Sequence, residues 1–384
     1  MVKRALPLLL IAIATLAVSS AVASIAANAA WERAGTRPWP ANLGSLQDFE
    51  SNYPKRDPSA DALRLVELAR PLGIDFTTRN AQQREPHVAI ATFVHAEQER
   101  GVVAIGEPLA LVAEFMTKQA APIDAMRDHI LQSREIAWAM DLDRKFDAPL
   151  PNLLAHLQVA RLLATRAHLR ARSNDAGAWE DLRAVSVLEN HLHQRPELLS
   201  QLIALSLART VNATAWKMPL PAPAWLADLR AVDRRRLMLR GLQHDAWLMW
   251  RHMPESSWSR AYLRASTGSM ASHQRETAFG LASQTRCGFD GKAYFEQRMN
   301  ALPSWNTVGR IATPNLGAVW SRTMRYEAEQ EATANALRVR AGEAVETRSH
   351  CSDGSWGASD GRVAFSRTIP SVGQHEMPLA LSVR

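Results

Sequence analysis

The stretch LLAHLQVARLLATRAHLRARSNDAGAWEDLRAVSVLENHLHQRPELLSQLIALSLARTVNATAW spans residues 153–216, and its reading settles the architecture. Leu153, Leu157, Ala160, Ala164 and Ala167 recur at steps of three and four, which places them on one stripe of an α-helix. Ser173-Asn174-Asp175 supplies a turn and an N-cap. Ala178, Leu182, Val185 and Leu192 then mark the apolar face of a second helix. Arg195-Pro196-Glu197 opens a third, through Leu199, Leu202, Ile203, Ser206 and Thr210. Long helices joined by short turns pack as antiparallel neighbours. The length and small-residue spacing match tetratricopeptide-like hairpins, but the Trp, Gly, Tyr and Pro landmarks of that repeat are missing. The expected fold is mainly α: an antiparallel bundle of helical hairpins, TPR-like in packing without the repeat consensus, with a small C-terminal β meander.

Working outward, the same periodicity defines a helical bundle over residues 59–253. Pro58-Ser59 opens its first helix, and His87 to Arg100 has helical spacing. Pro108 and Pro122 each begin a helix, the second expected to carry Ile123, Met126, Ile130 and Trp138 on one stripe. The alternate prolines of Met218 to Pro223 make a rigid corner before a single long helix from about Ala224 to His252. Residues 254–304 are rich in Ser, Gly and Arg and read as irregular. Pro314-Asn315-Leu316 leads into a long helix over 316–340, which completes a third region, 254–342. Residues 343–384 read as the β tail. Its strands are expected at Val345–Ser349, Trp356–Ser359 and Arg362–Ile369, with an edge strand over Pro378–Val383. Asp360-Gly361 is a two-residue hairpin signal. Residues 30–58, with four prolines, read as a linker lying on the body through Trp31 and Trp39.

The first 29 residues concern address. Lys3 and Arg4 precede the apolar run Ala5 to Val18, and Ala27-Asn28-Ala29 offers small residues at a cleavage box. That order makes a secretory signal peptide. The run is shorter than the roughly 20 residues of a membrane span, although Ala5 to Ala30 would serve as an uncleaved anchor if the box is ignored. Either way residues beyond 30 are delivered to the periplasm, free or anchored to the inner membrane. Membrane contact through the N-terminus is expected only if the signal is uncleaved.

With 47% hydrophobic and 22% charged residues the chain can bury a substantial core. Its net charge is +7, or +5 without Lys3 and Arg4, and comes from 39 Arg against six Lys. An exported chain seldom meets nucleic acid, so none is expected as a partner; an envelope protein or a glycan is. The two cysteines, Cys287 and Cys351, both lie beyond the signal in turn-like sequence, and an oxidising compartment is expected to join them.

Chemistry is harder to find. No H-E-x-x-H, paired C-x-x-C, G-x-S-x-G, S-x-x-K or glycine-rich phosphate loop occurs. No metal or other cofactor is expected. The densest polar cluster places Glu189 and His193 on one helical face at i, i+4, where two ligands could recruit a third; a helix C-terminus that favours His explains it as well. His95 and Glu99 repeat the spacing, and His244 and His252 lie two turns apart. Each of these reads equally as an ordinary polar contact between helices. Twelve tryptophans, among them the cluster Trp247, Trp250 and Trp258, suit either packing or stacking on sugars.

The export signal resembles, together with the phrase Pro196-Glu197-Leu198-Leu199-Ser200-Gln201-Leu202-Ile203, the Glu/Ala-rich helix and the Cys, Asp, Gly and Trp of the tail, uncharacterised exported α-helical proteins of high-GC bacteria. The resemblance covers about residues 150–370 and brings no activity with it. The function expected is a non-enzymatic exported scaffold or binding protein of the cell envelope. The alternative is a periplasmic hydrolase with its site between residues 254–304 and the bundle.

Overall fold

The computed structural model describes residues 2–77, 85–253, 260–312 and 316–383, with 2–14, 16, 17, 312 and 316 described by their backbone alone. Trp258 and the helix start at Pro314-Asn315 lie outside the described residues. The helices are α1 (Val2–Thr36), α2 (Ala60–Ala69), α3 (His87–Glu99), α4 (Ala110–Lys118), α5 (Ala120–Gln132), α6 (Leu153–Arg172) and α7 (Ala178–His193). They continue as α8 (Leu198–Ala215), α9 (Trp225–Ala231), α10 (Arg234–His252), α11 (Arg260–Ala282), α12 (Gly291–Asn300), α13 (Thr307–Ala312) and α14 (Leu316–Arg340). Three strands, β1 (Trp356–Ser359), β2 (Arg362–Phe365) and β3 (Ala380–Ser382), form an antiparallel sheet in that order.

The bundle is built around α8. Ala204, Leu207, Ala208, Val211 and Ala215 are fully buried, and their small side chains let α3, α6, α7, α10 and α14 all pack against this one helix. Asn152 caps α6 by accepting from the Leu154 amide at 3.1 Å, as its position before the apolar stripe requires. In the tail, Asp360 and Gly361 both take positive φ (50° and 72°), the backbone that a two-residue hairpin of matching twist demands. Val363 and Leu381 pair across β2 and β3 and are wholly buried. β3 also reaches back to the segment after α3: the Ser382 amide donates to the Gly101 carbonyl and Val103 donates to the Ser382 carbonyl, at 2.7 and 3.1 Å.

Cys287 and Cys351 are disulfide-bonded, with Cα atoms 5.2 Å apart and both side chains buried. The bridge ties the turn before α12 to the turn before β1. Asp353 reinforces it by accepting from the amides of Cys287 and Gly288 at 3.1 and 3.0 Å.

Several expectations need correction. The region read as a proline-rich linker, 30–58, begins as helix: α1 runs unbroken through Ala27-Asn28-Ala29 to Thr36. Its last turns lie on α11. Trp31 stacks on Trp250 at 4.5 Å, and each indole N–H donates to the other residue's carbonyl at 2.9 Å. This packing also explains why residues 260–282, read as irregular, are one 23-residue helix. Their Ser and Gly content permits close approach; a Cβ on Gly268 would lie 2.8 Å from the Trp31 Cα. The single helix expected over 224–252 breaks at Val232-Asp233, where the Asp233 carboxylate caps α10 by accepting from the Arg236 amide. α5 stops at Gln132, so Trp138 is buried from an extended segment, stacked on Phe76 at 5.0 Å. Val345–Ser349 is not a strand, because side chains of α14 take up its backbone: Asn335 pairs with Glu346, and Glu331 accepts from the His350 amide. Among the described residues no helix is long and apolar enough to cross a membrane.

One cap does unusual duty. Ser59 Oγ accepts from the amides of Ala62 and Ala137, each at 3.1 Å, and donates to the Glu135 carbonyl at 2.8 Å. It therefore caps α2 and pins the 135–137 segment at once. Ser59→Ala is expected to lower the unfolding free energy by about 2 kcal/mol, the upper end for a capping residue. Urea denaturation of the variant measures it; a loss of a few tenths would mean that water replaces all three bonds.

Candidate functional site

Glu189 and His193 do meet, as their spacing on α7 implies: His193 Nε2 lies 2.7 Å from Glu189 Oε1. What the sequence could not supply is the third member. Arg234, the first residue of α10, reaches the same Glu189 oxygen, and both side chains are buried. Arg234 also donates to the Leu229 carbonyl at 3.1 Å, and its guanidinium lies 4.8 Å over the ring of Tyr326 on α14. The Tyr326 hydroxyl accepts from Asn212 Nδ2 on α8 at 2.7 Å. Complete burial pushes this phenol well above its ordinary value, so it stays protonated. A polar chain thus crosses the interior from α7 through α10 and α14 to α8.

Arg234 and Tyr326 form the floor of a cleft of about 700 Å³. Its walls are the α9–α10 junction, one face of α14 and the segment 346–350. Most charged groups here are already satisfied. Arg235 forms a two-pronged pair with Glu327 and donates to the Gln284 carbonyl at 2.8 Å. Glu331 accepts from Ser349 Oγ, the His350 amide and ring, and Trp356 Nε1, all within 2.5–2.7 Å.

Three groups are left over. Arg230 Nε, Arg234 Nε and Gln330 Nε2 are buried and have no hydrogen-bond partner. All three are donors. Burial also pushes the Arg230 guanidinium below its usual value, since no carboxylate stands beside it. Buried donors left unpaired each cost about 1–3 kcal/mol, so a cleft that collects them favours whatever supplies acceptors.

His244 and His252, by contrast, do not join this site. His244 Nδ1 lies 3.4 Å from the neighbouring Asp245, and its ring packs against Phe49 and Trp247. The His252 ring meets Trp247 edge-on at 5.2 Å. Both are packing residues of α10. Among the described residues no three of His, Cys, Asp and Glu converge as a metal site would require. Sequence reasoning offered Arg230, Arg240 and the run Arg234-Arg235-Arg236 as a surface that could hold anions, and missed Gln330 and Tyr326. A helix side facing water explains that arginine set equally well from sequence alone.

No known protein family matches this chain, and no curated protein or solved structure matches it.

Proposed function

We propose that the chain is an exported, non-enzymatic binding protein of the bacterial cell envelope, whose cleft between α9, α10, α14 and residues 346–350 holds an acidic glycan. The observation that carries this reading is the trio of unpartnered buried donors, Arg230 Nε, Arg234 Nε and Gln330 Nε2, in one cleft. Carboxylated sugars bring the acceptors that these donors lack and a negative charge for Arg230, which has no carboxylate beside it, and a cleft of about 700 Å³ has room for a short oligomer. The rim adds Arg338 and Arg348, while Arg235 and Glu327 neutralise each other. A protein partner suits the site less well, because the cleft mixes charges of both signs and its one lining aromatic of the Phe, Tyr and Trp kind, Tyr326, is wholly buried rather than offered as an anchor. Export is supported by the signal-like N-terminus and by the disulfide, which an oxidising compartment maintains.

The test is isothermal titration of the purified full chain with oligogalacturonate and with a neutral oligosaccharide of the same length. Oligogalacturonate is expected to bind, more weakly as salt is added, and Arg230→Gln is expected to weaken it at least about tenfold. Equal binding of the neutral oligomer, or an unaffected Arg230→Gln, rules the reading out. Cleavage of the oligomer during titration would replace it with the hydrolase.

A further inference from the structure

A second cavity, of about 300 Å³, is lined by α3, α6, α8, α14 and the tail loop 374–377. Its charges do not balance. Arg209 is matched by Glu329, with both guanidinium prongs at 2.8 Å. Arg325 is matched by Glu376 at 2.7 Å. Arg161, projecting from α6 into the cavity, is half-buried and has no carboxylate, carbonyl or hydroxyl within hydrogen-bonding distance among the described residues. Burial alone sets its electrostatics, depressing the guanidinium below its ordinary value.

Two imidazoles face it. His95 from α3 and His375 from the tail stack at 3.9 Å with their planes 13° apart. His375 Nδ1 is 2.7 Å from Glu99 Oε1 outside the cavity, which leaves its other ring nitrogen to the cavity side. Its backbone takes φ +56°, the left-handed region, where His joins Asn and Asp as the non-glycine residues most often found. Arg325 holds the loop there, donating to the carbonyls of Ile369 and Met377 at 2.9 and 3.1 Å. Gln98, Ser206 and Thr210 add neutral hydrogen-bonding groups to the wall. His95 is held neutral near pH 7: burial, Arg161 and His375 together lower it to about 4.

We propose that this cavity binds a small hydroxylated monocarboxylate, its carboxylate paired with Arg161 and its hydroxyls on Gln98, Ser206, Thr210 and the imidazoles. One uncompensated guanidinium in a cavity whose other ion pairs are complete matches a single negative charge, and its fork suits a carboxylate held by two parallel bonds. A phosphate dianion would bring a second charge with no partner. The volume sits at the small end of the range of roughly 300–1,000 Å³ typical of ligand pockets.

Thermal melts of the full chain with gluconate, glucuronate and lactate, and with inorganic phosphate and glucitol as controls, test the assignment. At least one monocarboxylate is expected to raise Tm in proportion to the logarithm of its concentration, and neither control does so. Arg161→Met should abolish the rise while leaving the unliganded Tm equal to or above wild type, because it removes an unpaired, half-buried charge. His375→Ala, on a surface loop, should weaken the ligand at least about threefold without lowering the unliganded Tm by more than a degree or two. Arg230→Gln should leave the rise intact, which separates this site from the cleft. The proposal falls if no monocarboxylate acts, if phosphate or glucitol acts equally, or if Arg161→Met keeps the rise or melts well below wild type.

Discussion

Acidification from pH 7 to pH 5 is expected to lower the unfolding free energy by about 4 kcal/mol, through two imidazoles that the fold keeps neutral. His156 and His168 on α6 are completely buried, and burial is the main reason that each is held at about 3, against 6.5 for a free imidazole. His156 Nδ1 is 3.2 Å from the Asn152 carbonyl, and its ring is enclosed by Phe76 and Trp138 at 5.0 and 5.3 Å. A proton there would sit in an aromatic cage with no anion. His168 lies edge-on to Phe93 at 5.9 Å and shares its neighbourhood with the positive charge of Lys217. Below pH 6.5 the unfolded chain takes up protons that the folded chain refuses, so stability is complete above that pH and falls steadily toward pH 3. Each imidazole accounts for about 1.4 kcal/mol per pH unit in that window, or about 2 kcal/mol by pH 5. His95, held at about 4 but half-buried, adds a smaller effect of the same sign. Glu50 and Asp181, raised by burial, work in the opposite sense, and only as pH approaches the carboxylate range. Urea titrations at pH 7, 6 and 5 measure the slope. His156→Leu with His168→Leu should flatten it; an unchanged slope would move the origin of the effect elsewhere.

Opening the disulfide should be comparably damaging. The bond closes 64 residues of sequence, including α12, α13 and α14, and a loop of that size stabilises by about 4 kcal/mol in the chain-entropy description. For a chain of this length that corresponds to a fall in Tm of about 5 °C. Cys287→Ser with Cys351→Ser reads this out free of thiol reactivity, and the α12 end of the protein should lose its hydrogen-exchange protection first. Both cysteines are 2% exposed or less, so the serine hydroxyls add their own desolvation and the measured loss should not fall below the entropic value. A shift of one degree would mean that Asp353 and the Thr285–Ser352 contacts already hold the two turns together. Thiol counting on the denatured, non-reduced chain gives the complementary check: none is expected.

The parts of the fold that the sequence displays are those decided within a few turns of chain. α6, α7 and α8 declare themselves by apolar stripes, and the β1–β2 turn by Asp360-Gly361, whose conformation few other pairs adopt. α11 is not legible, because Ser, Gly and Arg favour a helix there only once α1, from the far end of the sequence, lies along it. The same distinction separates the site residues. Glu189 and His193 could be paired from their spacing, but Arg234 arrives from another helix and Tyr326 from a third. Arg161 looks like any arginine of an amphipathic helix. It becomes a half-buried, unmatched charge only when the tail folds over it, and no local pattern records that event. The cysteines were the exception: two thiols in a chain expected to be exported leave one intramolecular pairing.

The return of β3 to residues 101–103 bears on the order in which the molecule can assemble. Ser382 bonds to Gly101 and Val103, made about 280 residues earlier, and His375 stacks on His95 across a similar stretch of chain. Contacts between such distant residues close large loops and form slowly compared with helical hairpins. α6 to α8 can fold as neighbours before β3 has been made. The α3–α4 region would meanwhile stay uncovered on the side that the tail later seals. The cavity beside Arg161 then appears late, so a ligand bound there would recognise only chains folded through the 374–377 loop and β3.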